Sequence, residues 1–248
     1  MVSVLGLLGL LPLLPVSAFT QNLYEQPKDY SLVVQKAKAA VFEIKCDGAW
    51  VGSGWGVEIE EVSFVITAQH VVSNCLLGEP IHARNSRIGF LELELISSDG
   101  SYWDFGSTDL ALLRANKKIE TLRFQDEKPT IGQWILVVGF PLEDWSGPLV
   151  NMSEGRLTAF DSFDHLVTNA AVNGGNSGGP ILNSRGEVLG TIYASDPSDE
   201  YENLAYAQPL FEHFEFLARV SSLDVQELFD STWLVRRSNN FPYWWKRS

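Results

Sequence analysis

The chain has 248 residues, 45% of them hydrophobic and 20% charged, and carries a formal net charge of −13. Such an acidic surface disfavours nucleic acid as a partner, since phosphate binding rests on clustered Lys and Arg. The length suits one two-lobed β domain or two small domains, either able to bury a core.

Residues 1–18 hold no charged side chain, are rich in Leu and Val, and end in Val16-Ser17-Ala18. A short apolar core closed by small residues reads as a signal peptide, so the protein is expected to be secreted or exported to a periplasm-like compartment. No Lys or Arg precedes the apolar stretch, which leaves an uncleaved anchor as the competing reading. Pro12, Pro15 and the shortness of the run weigh against an anchor. Residues 19–37 follow as an N-terminal arm, and Gln21 to Ser31 within it is polar, extended or disordered.

From residue 38 the chain reads as short strands separated by Gly, Asn, Asp and Ser turns. The first set is Val41–Lys45, Trp50–Ile59, Ser63–Thr67, Ile88–Ile96, Leu110–Arg114 and Trp134–Gly139. The second is Arg156–Phe160, His165–Asn169, Pro180–Leu182, Val188–Tyr193 and Leu204–Ala207. Many short strands without intervening helices predict an all-β barrel or sandwich. The polar, proline-containing stretch 122–132 reads as the boundary between two lobes.

Only the C-terminal part has helical spacing, in Leu210, Phe211, Phe214 and Leu217 and more weakly from Leu223 to Phe229. Residues 211–248 form a helical extension that ends in aromatic and basic residues. Trp233, Phe241, Tyr243, Trp244 and Trp245, mixed with Arg236, Arg237, Lys246 and Arg247, suit a membrane interface or packing outside a barrel. Packing is the preferred reading.

Cys46 and Cys75 lie on either side of His70, and in an exported protein such a pair is expected to form a disulfide. Without neighbouring His pairs they make no zinc site, and no metal or cofactor is expected. Asn151-Met152-Ser153 is the one glycosylation sequon, placed in a polar loop.

Chemistry concentrates in three short segments. In Gly174-Gly175-Asn176-Ser177-Gly178-Gly179-Pro180 the glycines let the backbone turn sharply around a serine. A serine hydroxyl needs a base for its proton and donors for the developing oxyanion. The loop Gly175, Asn176, Ser177 is the candidate oxyanion hole, with the N–H groups of Gly175 and Ser177 as donors. His70, in Thr67-Ala68-Gln69-His70-Val71-Val72, is presented at the end of an apolar strand, whereas His82, His165 and His213 are read as structural. Asp109 opens the apolar run Leu110-Ala111-Leu112-Leu113. The order His, Asp, Ser is that of a nucleophilic triad.

Gly52-Ser53-Gly54-Trp55-Gly56, Val65 to Val72, Asp109 to Leu113, Ser153 to Leu157 and Asn169 to Pro180 together resemble the chymotrypsin-fold serine proteases, most closely the HtrA/Deg-like branch. The resemblance runs over residues 38–210. It implies a double six-stranded antiparallel β-barrel and a serine endopeptidase acting on protein or peptide substrates. His70 would be the general base, Asp109 its orienting partner and Ser177 the nucleophile. Only residues 210–248 follow Pro209, so no PDZ module is expected. Asn176 stands where pancreatic-type zymogens carry an aspartate, so activation through a freshly cut N-terminus is not expected. By similarity Ala171 lies at the floor of the substrate pocket and Tyr193, Ala194 and Ser195 along one wall. With no carboxylate at the floor, a small or medium apolar residue is expected before the scissile bond. Oligomeric state is left open.

Two other readings compete. Gly175 to Gly179 also fits the G-x-S-x-G elbow of serine esterases, with Asp196 or Asp199 and then His213 completing a triad. That elbow needs a helix after the serine, where this chain reads as strand. The other is a non-catalytic protease-fold protein with a binding or chaperone-like role.

Overall fold

The computed structural model describes residues 23–46, 49–73, 75, 80–99, 108–141, 149–195, 204–209, 212–214 and 216–217. In chain order the elements are α1 (Ser31–Ala40), β1 (Val41–Cys46), β2 (Ala49–Ile59), β3 (Val62–Ala68), α2 (Gln69–Val72), β4 (Ile81–Arg84), β5 (Leu91–Asp99) and β6 (Leu110–Ala115). Then come β7 (Arg123–Phe124), β8 (Trp134–Gly139), β9 (Asn151–Phe160), β10 (Leu166–Thr168), β11 (Pro180–Leu182), β12 (Glu187–Ser195) and β13 (Ala205–Pro209). Strands β1-β2-β3-β6-β5-β4 close into one antiparallel barrel. Strands β11-β8-β9-β10-β13-β12 close into a second through the β11–β12 pairing, and β7 adds to β12 in parallel. This is the double six-stranded barrel expected from the sequence.

Alternation is absent from the strongest strand signals because both faces of those strands are buried. On β8, Ile135 and Val137 fill the second barrel, while Trp134, Leu136 and Val138 face the first lobe. On β6, Ala111 and Leu113 fill the first barrel, while Leu110 and Leu112 join the same shared layer. Trp55 from β2 sits at the centre of that layer, fully buried and edge-on to Phe124 with ring centroids 5.3 Å apart.

The layer between the lobes also contains a polar chain. Trp55 Nε1–H donates to Thr191 Oγ1 (2.9 Å), and the Thr191 hydroxyl donates to His213 Nε2 (2.7 Å). The other ring nitrogen of His213 therefore carries its proton and donates to the Pro209 carbonyl (2.9 Å). One hydrogen-bonded line thus joins the first lobe, β12, β13 and the residues after it.

Several elements differ from the sequence reading. The arm ends in a helix: Val33, Ala37 and Ala40 lie at i, i+4 and i+7 and are buried in the shared layer. Just ahead of it, Asp29 accepts the N–H of Ser31, the first helical residue (2.8 Å). The pattern was faint because three of the helix's four buried residues are small alanines. Upstream, the arm lies on the second lobe. Trp134 N–H donates to the Leu23 carbonyl (2.9 Å), and Gln26 and Tyr30 donate to the Glu154 carboxylate. That contact raises the Tyr30 pKa, because the anionic phenolate could no longer donate to Glu154.

The stretch read as a polar linker holds β7 and a buried amide network. Gln125 Oε1 accepts from Gln133 Nε2 (2.7 Å) and Asn183 Nδ2 (2.8 Å). The strand expected from Ile88 begins only at Leu91, since Asn85 Oδ1 captures the N–H groups of Arg87 and Ile88 in a turn. Asn151 is the exposed first residue of β9, paired with Gly139, and not a loop residue. After β13, residues 212–214 and 216–217 are helical and pack Phe214, Phe216 and Leu217 into the shared layer. The leader 1–18, the pattern Leu223 to Phe229 and the tail from Thr232 lie outside the described residues.

His213 makes stability depend on pH. Burial pushes its pKa down from 6.5 to about 4, so the unfolded chain binds this proton more tightly than the folded one. Stability is complete above the unfolded value and is lost as pH falls from 6.5 towards 4, by roughly 3 kcal/mol across the window. His213→Gln, which cannot titrate, is expected to show a shallower decline in melting temperature between pH 7 and pH 4 than the parent protein. Equal slopes in the two melting series would refute the assignment.

Candidate active site

The register of β3 against β6, which pairs Ala68 with Leu110, sets Asp109 beside the first turn of α2. Asp109 Oδ2 accepts from His70 Nδ1–H (2.8 Å) and Oδ1 accepts from the His70 backbone N–H (3.0 Å). The Asp109 carbonyl accepts from Gln69 N–H (3.0 Å). Three donors from two consecutive residues thus lock an aspartate that is 1% exposed. Its φ of +38° is in the left-handed region, which aspartate tolerates better than most side chains. The histidine ring is half-exposed, at 36%, so its second nitrogen faces outward from the Asp109 contact.

The disulfide expected from the sequence is formed. Cys46 at the end of β1 is bonded to Cys75, just beyond α2, with Cα atoms 5.2 Å apart. It closes a loop with a sequence separation of 29, worth roughly 3–4 kcal/mol by the chain-entropy model. The bond holds down the far end of the segment that carries His70.

Ser177 comes from the second lobe. Its carbonyl accepts from Ser53 N–H on β2 (2.8 Å), a direct bond between the lobes. On either side the loop is pinned: Asn176 N–H to the Asn173 carbonyl (3.1 Å), Gly178 N–H to Ile192 (2.7 Å) and Gly179 N–H to Asn176 (2.9 Å). Gly175 and Gly178 have φ of +94° and +84°. Among the described residues the N–H groups of Gly175 and Ser177 have no backbone acceptor, while that of Asn176 is taken. The two donors expected from the sequence thus have no backbone acceptor among the described residues. The Asn176 side chain is buried, and Oδ1 has no partner among the described residues.

Strand β11 follows the serine within three residues, so the helix that an esterase elbow requires is absent. Its supposed histidine, His213, is consumed by Thr191 and Pro209. Asp196 and Asp199 lie outside the described residues. Of the other histidines, His165 is tied to Asp161 (3.0 Å) and to the Tyr193 hydroxyl (3.0 Å). His82 lies on β4, so neither joins His70.

Among the expected pocket residues, Ala171 is exposed on the loop before the serine. Tyr193 turns its hydroxyl to His165, a partner that local sequence does not announce. The side chains of Ala194 and Ser195 lie outside the described residues. No group of three or more His, Cys, Asp or Glu side chains is gathered to hold a metal ion among the described residues.

The fold has counterparts among known proteins. A family model described as a trypsin-like peptidase domain matches residues 52–190. A probable periplasmic serine endoprotease, DegP-like, from Pseudomonas putida is 33% identical over 143 residues, covering 55% of this chain and 28% of the relative. A protein of the same description from Brucella suis is 33% identical over 168 residues, covering 64% of this chain and 31% of the relative. The match thus spans less than a third of the length of these relatives. The crystal structure of a serine endoprotease from Yersinia pestis superposes with a TM-score of 0.65 at 25% identity, over 79% of this chain and 68% of that one.

Gly178 offers a direct check of the loop packing. A Cβ there would stand 2.0 Å from the Ser53 carbonyl oxygen and 2.2 Å from Thr67 Oγ1, at a φ that L side chains avoid. Gly178→Ala is expected to lower stability by about 3 kcal/mol or more in chemical denaturation. A loss below about 1 kcal/mol would mean the loop is not packed this way.

Proposed function

The chain belongs to the trypsin-like peptidase family, and from that premise we propose that it is a serine endopeptidase with His70, Asp109 and Ser177 as its triad. The observation that carries the reading is the buried Asp109 carboxylate on His70 Nδ1 at 2.8 Å, which assigns the ring proton to Nδ1 and leaves Nε2 unprotonated. In the neutral ring with its proton on Nδ1, Nε2 would take the Ser177 Oγ proton as Oγ attacks the scissile carbonyl. The carbonyl oxygen becomes an oxyanion, stabilised by the N–H groups of Gly175 and Ser177. His70 then gives its proton to the departing amine, the C–N bond breaks, and an ester on Ser177 remains. Water, deprotonated by His70, releases the acid product by the same steps. Asp109 stays ionised throughout and stabilises the imidazolium.

The same reading places the protein outside the cytosol. The DegP-like relatives are described as periplasmic, and the Cys46–Cys75 bond persists where the environment oxidises thiols. The apolar leader Met1 to Ala18 would direct it there.

Substrate choice follows from the loop before the serine. Ala171 offers no charge to an Arg or Lys side chain, so the residue before the scissile bond is small or medium and apolar. A peptide-library profile is expected to be dominated by Val, Ala, Ile or Leu at that position. A profile dominated by Arg and Lys would overturn the pocket assignment while leaving the triad intact.

Nucleophile and fold are tested together with a fluorophosphonate probe. The wild-type chain is expected to be labelled and Ser177→Ala not, with turnover of a cleaved peptide reduced by about 10⁴- to 10⁶-fold. A folded wild-type protein that resists the probe would favour the non-catalytic binding role instead.

A further inference from the structure

Ser53 on β2 is fully buried, and every polar group it has is engaged with the serine loop or its supports. Its N–H donates to the Ser177 carbonyl (2.8 Å), and its own carbonyl accepts from Thr67 Oγ1 (2.6 Å). Any residue could make those two bonds. The hydroxyl makes two more: Oγ accepts from Phe140 N–H (2.8 Å) and donates to the Gly175 carbonyl (2.7 Å). The Phe140 bond occupies one lone pair and so fixes the direction in which the hydroxyl proton points.

From this we infer that Ser53 is a positioning residue for the oxyanion-binding loop, its hydroxyl holding the Gly175 peptide in the orientation that keeps the Gly175 and Ser177 N–H groups turned towards one point. The inference rests on the serine-peptidase reading. Its physical basis is the composition of the loop. Gly174 and Gly175 have no Cβ, so their peptides rotate at little steric cost and no local preference selects one orientation. An orientation must be imposed from outside. The peptide joining Gly175 to Asn176 is held at both ends, its carbonyl by Ser53 Oγ and its N–H by the Asn173 carbonyl. Rotating it breaks both bonds and changes ψ of Gly175, so the Gly174–Gly175 peptide, which bears the Gly175 N–H, loses the fixed neighbour it joins at the Gly175 Cα. Ser53 thereby touches the carbonyls of both residues whose N–H groups are the donors, one through its backbone and one through its side chain. Without the hydroxyl, the buried Phe140 N–H and Gly175 carbonyl both lose their partner, which favours a rotated loop.

The test separates loop orientation from general damage. Ser53→Ala is expected to lower kcat about 10- to 100-fold with KM held within a factor of two, since only the charge-developing step uses the donors. A peptide aldehyde forms an oxyanion-bearing adduct with Ser177, whereas the matching peptide alcohol binds without one. The aldehyde-to-alcohol affinity ratio is expected to fall in Ser53→Ala by the same factor as kcat. Ser53→Cys keeps the volume with a weaker donor, and an intermediate ratio is expected. Fluorophosphonate labelling of the wild type, with an unchanged ratio in a folded Ser53→Ala, would overturn the positioning role and leave the peptidase reading standing. A wild type that is not labelled would remove the peptidase reading itself. If Ser53→Ala does not fold, Ser53→Cys decides: a wild-type ratio there also overturns the inference. A parallel loss of alcohol affinity and aldehyde affinity would assign Ser53 a purely structural part.

Discussion

The bond from Ser53 N–H to the Ser177 carbonyl, 2.8 Å long, crosses from one barrel to the other at the point where the candidate nucleophile must meet its base. His70 and Asp109 belong to the first lobe, held by the β3–β6 register, and Ser177 belongs to the second, held by β11 and β12. Neither lobe contains the full set of reacting groups. Proton transfer requires Oγ and Nε2 within hydrogen-bonding reach, so how one barrel sits on the other decides whether the proposed chemistry can occur. The site therefore inherits its accuracy from the layer between the lobes.

That layer is apolar in bulk and polar at a few points, and the two parts do different work. Trp55, Leu110, Leu112, Trp134, Leu136 and Val138 supply buried area, worth roughly 1.5–3 kcal/mol for each large side chain, but apolar contact alone tolerates sliding. The line Trp55–Thr191–His213–Pro209 and the amides of Gln125, Gln133 and Asn183 are directional. A slip of an ångström would leave buried donors unmet, at a cost of about 1–3 kcal/mol each. Area holds the lobes together, and the polar line selects how they sit.

Much of this was legible in the sequence, for physical reasons that also mark its limits. Strands such as Trp134–Gly139 and Pro180–Leu182 were readable because their apolar runs are bounded by turn residues. The disulfide was readable from two cysteines flanking a histidine, and the His70–Asp109 contact was expected from chain order and family likeness. What failed were segments whose identity is set by distant partners. The helix Ser31–Ala40 buries Val33 and three alanines, and the alanines carry almost no periodic signal. Gln125 looks like a linker residue until its amide meets Gln133 and Asn183. Tyr193 and His165 are far apart in sequence and join only in the folded lobe. Ser53 was visible only as one letter in a glycine-rich motif, because its role lies in contacts more than eighty residues away.

Glycine and hydroxyl divide a single task at the candidate oxyanion loop. The turn around Ser177 requires φ of +94° and +84° at Gly175 and Gly178, which only glycine adopts freely. Gly178 must also lie against the Ser53 carbonyl, where no side chain fits. The freedom that permits this shape also permits others, so the sequence that makes the turn cannot by itself keep it. Donors for an oxyanion contribute most when they are already aimed before charge develops, because no reorganisation then accompanies the reaction. The aim has to be supplied by rigid neighbours, and here they are strands: β2 through Ser53, the end of β8 through Phe140, and β12 through Ile192. A flexible loop thus becomes a fixed one by leaning on both barrels at once, and the stability of the interlobe layer becomes a condition for the chemistry.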